Sequence, residues 1–155
     1  TDLKKATMPS LIIISLYLIV CLIILGLTES ISDTHYKWLE RFGFWGYAIF
    51  PVVMLTWATL VILECPQLVW AGFGIYYVAI FCMFDEEDKK HIGVIHYLGA
   101  FWGIGYLMYV VWLWSPWLVL SFVVLSGFAL FSKKYKIYII EILAIITLYL
   151  YFFYH

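Results

Sequence analysis

Charge is scarce in this chain. Only 12% of its residues are Asp, Glu, Lys or Arg, and the net charge is −1. A typical soluble domain is about a quarter charged. The missing basic excess argues against nucleic acid as a partner, because phosphate binding needs clustered Lys and Arg. Cysteine is sparse as well: Cys21, Cys65 and Cys82 are isolated, with no C-x-x-C pair to act as a dithiol redox centre. No H-x-x-x-H or H-E-x-x-H occurs, and no serine sits in a G-x-S-x-G setting, so zinc hydrolysis and a serine nucleophile are unsupported. No two histidines lie deep in different apolar runs, which disfavours a haem pair. No catalytic residue, metal ligand or cofactor is expected from these patterns.

What the chain does hold is apolar mass. Of its 155 residues, 66% are hydrophobic and 21% aromatic, and the mean hydropathy is +1.00. A soluble fold of this length must still show much of its surface to water and could not hide so many apolar side chains. Six apolar runs follow one another, roughly 9–27, 44–63, 67–84, 91–114, 115–132 and 136–154. Each is near the ~17–25 residues that cross a ~30 Å hydrocarbon core. Strict alternation is absent, so helices rather than a barrel are expected. The run from Leu11 to Leu27 is longer than a signal-peptide core, and no A-x-A site follows it, so it reads as a retained first helix. The expected fold is therefore all-α: a polytopic integral membrane protein, one transmembrane domain over 1–155, built as a six-transmembrane-helix up-down bundle with short connections.

The breaks hold the polar residues. They are a first loop from Thr28 to Gly43, then Glu64–Gln67, Asp85–Lys90, the Ser115-Pro116 turn and Ser132–Tyr135. The odd-numbered loops share one side and carry Lys37, Arg41, Lys89, Lys90, Lys133, Lys134 and Lys136, against Lys4 and Lys5 on the other. By the positive-inside rule the odd loops are cytoplasmic. Trp38, Trp45, Trp70, Trp112, Trp114 and Trp117 fall near run ends, as interfacial aromatic belts do.

Two features invite a functional reading. Glu141 is the only acidic or basic side chain inside an apolar run. It is either a proton, ion or head-group site, or a carboxyl close enough to Lys136 to reach the interface. The fourth run places Gly93, His96, Ala100 and Gly103 at helical spacing, and Gly99 and Gly103 form a small-x-x-x-small pair for close helix packing. His96 is then a helix-contact histidine or a functional one. His35, His91, Asp33 and the acidic Asp85–Asp88 run also lie toward the odd-loop side, but His91 and His96 are five apart, which suits one helix face poorly.

Two stretches together resemble the DRAM/Sfk family of six-helix membrane proteins. The first is Ile31-Ser32-Asp33-Thr34 followed by Glu40-Arg41 and Phe44, and the second is His96-Tyr97-Leu98-Gly99-Ala100 with Gly103 and Tyr106. The sequence departs from the family pattern at His35, where a glycine is usual, and at Leu39, where a proline is usual. The family includes autophagy modulators, a phosphoinositide regulator and a GPI-anchor maturation factor. The resemblance implies a non-enzymatic membrane regulator or scaffold whose first loop faces the lumen or exterior, opposite to the charge count. Its expected partners are membrane lipid and proteins in the membrane. From the residues themselves, the candidate polar cluster is Asp33, Thr34, Glu40, Arg41, His91, His96 and Glu141, expected to clamp the first loop over the bundle. Two other readings stand beside it: a small accessory subunit of a larger respiratory or secretion complex, and a lipid-modifying enzyme or small transporter. The last requires Glu141, His96 and Asp33 to converge on one pocket.

Overall fold

A computed structural model describes residues 8–82 and 89–154, with side chains everywhere in these ranges except 89–96. Lys4, Lys5 and the Asp85–Asp88 run lie outside the described residues, as do the side chains of His91, Gly93 and His96. The described chain is all-helical: α1 Pro9–Leu25, α2 Asp33–Phe42, α3 Phe44–Glu64, a 3₁₀ turn Pro66–Leu68, α4 Val69–Phe81, α5 Lys89–Trp114, α6 Pro116–Ala129 and α7 Lys136–Tyr154.

Proline punctuates this order. Pro9, Pro66 and Pro116 open α1, the 3₁₀ turn and α6, positions where a missing N–H costs nothing and the fixed φ favours the helix. Only Pro51 lies inside a helix, buried in α3.

Among the described residues, three helical stretches are long and apolar enough to cross a membrane: Phe44–Glu64, Tyr97–Trp114 and Lys136–Tyr154. The apolar stretches Pro9–Leu25, Pro66–Phe81 and Pro116–Ala129 are shorter. At a rise of 1.5 Å per residue, the 14-residue α6 extends only about 21 Å. The apolar run at 115–132 thus overstates its helix, which stops at Ala129.

The first loop also departs from expectation. It contains a ten-residue helix, α2, which buries Thr34, His35 and Trp38 and turns its charged residues outward. Asp33 in its first turn and Arg41 in its last each complement the helix dipole. Gly43, with φ +59°, is the single residue between α2 and α3. This left-handed conformation suits glycine.

Packing proceeds antiparallel along the chain. Ser10 meets Glu64 and Tyr17 meets Phe50 across α1 and α3. Thr59 shares a 2.5 Å hydrogen bond with Tyr76 across α3 and α4. The α4–α5 contact is close, with Gly74 against the backbone of Gly99 and Gly103. Ile14, Phe50, Ala58, Val61, Leu68 and Val111 form the dry interior. The outside is just as apolar: Phe131 is 84% exposed, Phe101 79% and Trp117 77%. Exposed apolar surface on this scale is what a water-facing monomer avoids.

Candidate functional site

A cavity of about 110 Å³ opens between α3, α4, α5 and α7. Phe50, Met54, Trp57 and Val61 wall it from α3, and Gly74 and Val78 from α4. Ala100, Gly103 and Leu107 line the α5 side, and Ala144, Ile145 and Leu148 the α7 side. One carboxyl, that of Glu141, reaches this otherwise apolar lining, at the end where Ile31 and Ser32 close it. The cavity arises where α4 and α5 present Gly74, Ala100 and Gly103 rather than bulky side chains.

Glu141 has a definite partner. The backbone N–H of Ile31 donates to its Oε2 at 2.6 Å. A second tie runs the other way, from the Tyr138 N–H to the Glu29 carbonyl at 3.0 Å. Tyr138 is in the first turn of α7, whose N–H groups have no intrahelical acceptor, so the first loop supplies one. The loop and α7 therefore satisfy each other's backbone.

The rest of the first loop is held just as closely. Thr34 Oγ1 donates to the Ile31 carbonyl at 2.5 Å, which leaves it to accept from the Tyr17 hydroxyl at 2.5 Å. The Asp33 N–H donates to Ser30 Oγ at 3.0 Å, and Thr28 Oγ1 donates to the Ser30 carbonyl at 2.7 Å. Arg41 reaches the Ile24 carbonyl at 2.9 Å and Lys37 the Leu27 carbonyl at 3.4 Å. Both cations thus sit at the end of α1, where orphan carbonyls favour positive charge.

The candidate residues accordingly divide. Thr34 and Glu141 belong to the loop-one clamp, and Arg41 anchors α2 to α1. Asp33 is half-buried at the start of α2, and Glu40 is exposed. Neither lines the cavity. Gly99 lies against the Tyr77 ring, Gly103 against Ala71 and Gly74, and Ala100 lines the cavity. His35 is buried, with its ring 5.2 Å from Tyr47 and 5.9 Å from Phe50. Among the described residues no three His, Cys, Asp or Glu side chains gather as a metal site.

Sequence reasoning missed a second polar chain at the opposite end of the bundle. Trp57 Nε1 donates to the Tyr149 hydroxyl at 2.9 Å, and that hydroxyl donates to Ser10 Oγ at 3.1 Å. Ser10 Oγ in turn donates to Glu64, and the Ser10 N–H donates to the same carboxylate at 2.9 Å. Glu64 thus satisfies a free N–H at the start of α1, where negative charge is favoured. The only local signal was an acidic residue, Glu64, ending one apolar run, and a serine, Ser10, opening another.

Removing the Glu141 carboxyl should loosen the first loop. In Glu141→Ala, amide exchange at Ile31 is expected to quicken by about tenfold, since a hydrogen bond to a charged group contributes ~1.5–3 kcal/mol. Glu141→Gln retains a neutral acceptor and should exchange at a rate between the two. Equal rates in all three proteins would show that the clamp does not hold the loop. No protein-family model, curated protein or solved structure matches this chain.

Proposed function

We propose that the chain is a six-span integral membrane protein that works by binding rather than by catalysis, as a regulator or scaffold of the DRAM/Sfk type that associates with lipid. The supporting observation is the first loop clamped by Glu141 over an apolar cavity inside the bundle. The stretches that carry the family resemblance contribute directly to this arrangement: Ile31 and Ser32 close the cavity, and Ala100 and Gly103 line it. The lipid-modifying enzyme or transporter reading needs Glu141, His96 and Asp33 in one pocket, and Asp33 does not line this cavity.

Six crossings follow if α1, α6 and the Pro66–Phe81 stretch also span. Short helices span by thinning the bilayer locally and by using flanking residues at the interface. The outward aromatic side chains then face acyl chains. A second reading, an accessory subunit of a larger complex, draws on α6. That helix buries only Ala129 and leaves Trp117, Val124 and Phe128 exposed, a face another protein's helix could cover.

Topology tests the spans. Single cysteines in sealed vesicles, in a background with Cys21 and Cys82 replaced by alanine and Cys65 replaced as well when another position is probed, should label with an impermeant maleimide from opposite sides. Cys65 and Ser115→Cys belong to one side, and Ser30→Cys and Lys134→Cys to the other. Labelling of all four from one side would end the six-span reading. Lipid retention tests the function: chain purified in mild detergent should carry lipid, and Glu141→Ala should carry less. A stoichiometric set of large protein partners would instead favour the accessory-subunit reading.

A further inference from the structure

The cavity has a polarity that narrows what it can hold. Its lining is apolar from Trp57 and Leu148 at one end to Phe50 and Val78 at the other, where Glu141 stands beside Ile31 and Ser32. From Glu141 to Leu148 the wall runs seven residues along α7, about 10 Å. The volume, about 110 Å³, is several times the roughly 10–15 Å³ that one water needs by the same measure. A water has few partners on such walls. A row of roughly eight methylene-sized groups matches both length and volume.

The carboxyl sets the head group. A carboxylate offers about four acceptor positions, and Ile31 takes one. Among the described residues, no Lys, Arg or His lines the cavity to pair with it. An acidic head would be repelled there, while an amine or hydroxyl would find an acceptor. Glu141 lies five residues into α7, near the first loop, and the apolar walls extend inward from it. A membrane lipid has this same order, head at the interface and chain within.

We infer that this cavity binds the hydrocarbon chain of a single-chain lipid whose head presents an amine or hydroxyl donor to Glu141. The inference rests on the membrane-binding reading and gives that reading its ligand class. The donor would join the Ile31 N–H on the same carboxyl, so occupancy would be felt at the first loop.

Heptylamine with a diazirine at its chain end provides the probe, with the full chain in phosphatidylcholine nanodiscs. Illumination should label residues at the deep end, around Trp57, Leu107 and Leu148. Unlabelled heptylamine should remove the label about tenfold more effectively than heptanoate, the ratio expected of one charge-assisted hydrogen bond. Glu141→Gln, which keeps an acceptor for Ile31, should erase most of that preference. Ala144→Phe, which fills the cavity, should remove the label. Label confined to outward residues such as Phe101 and Trp117, or equal competition by amine and acid on the unaltered chain, would overturn the inference. Because that competition uses no variant, it decides even if both variants misfold. A chain that enters the discs and retains lipid but fails the competition refutes the ligand class alone. A chain that does not enter them refutes the membrane reading with it.

Discussion

Gly46→Ala is expected to destabilise this protein by about 3 kcal/mol or more, although it adds one methyl group. The reason is the turn between α2 and α3. With Gly43 alone connecting them, the two helices fold back so tightly that a Cβ on Gly46 would lie 1.9 Å from the Trp38 carbonyl oxygen and 2.4 Å from its carbon. The obstacle is backbone, so no side-chain rotamer relieves it. Relief requires α2 to move away, and α2 holds Thr34 against Tyr17 and the buried Trp38 in place. The first loop would therefore loosen from the bundle together with the helix. Gly74→Ala should follow, since its Cβ would fall 2.5 Å from Gly103 Cα at the α4–α5 contact. Gly105 and Gly127 have open space where a methyl group would stand, and alanine there should stabilise the helix by up to ~1 kcal/mol. Thermal unfolding in detergent of the four variants checks the ordering. A Gly46→Ala protein that melts with Gly105→Ala would refute the close approach.

The contrast between these glycines shows what sequence alone could reveal. Composition and run length are local sums, and they mark the apolar helices and most of their breaks directly. The Gly99–Gly103 pair is legible because both residues lie on one helix, four apart. Its tightest partner, Gly74, is on another helix, and no pattern within either helix sets their register. The same holds for Glu141. A lone carboxyl in an apolar run is conspicuous, but its partner Ile31 is 110 residues away in sequence. The helix α2 was hidden for a different reason. Over Asp33–Phe42 the residues are polar on average, and the buried positions Thr34, His35 and Trp38 include two polar side chains. A search for apolar runs passes over them, whereas their spacing on one helical face gives them away. Helix ends were overstated where apolar residues continue past the last turn, as at 130–131 beyond α6.

Tyr149→Phe is expected to cost about 2–3 kcal/mol, more than a typical lost hydroxyl. The Tyr149 hydroxyl occupies the middle of the chain from Trp57 through Ser10 to Glu64. Without it the Trp57 N–H, on a residue only 7% exposed, keeps its desolvation penalty and loses its acceptor. Ser10 loses a donor and stays tied to Glu64. The chain joins α1, α3 and α7 at the end of the bundle away from the first loop, so its loss separates three helices there. Hydrogen bonds between membrane helices often contribute only ~0.6 kcal/mol, because the unfolded chain in lipid finds other partners. The larger value expected here comes from the unsatisfied indole rather than from the bond itself. A double-mutant cycle separates the two: Trp57→Phe with Tyr149→Phe leaves no orphaned donor, so the pair should cost at least ~1 kcal/mol less than the sum of the single variants. Strict additivity would mean that the indole and the phenol do not depend on each other. The clamp at the first loop should be unaffected, and slow amide exchange at Ile31 in Tyr149→Phe would show that the two ends of the bundle are held by separate polar networks.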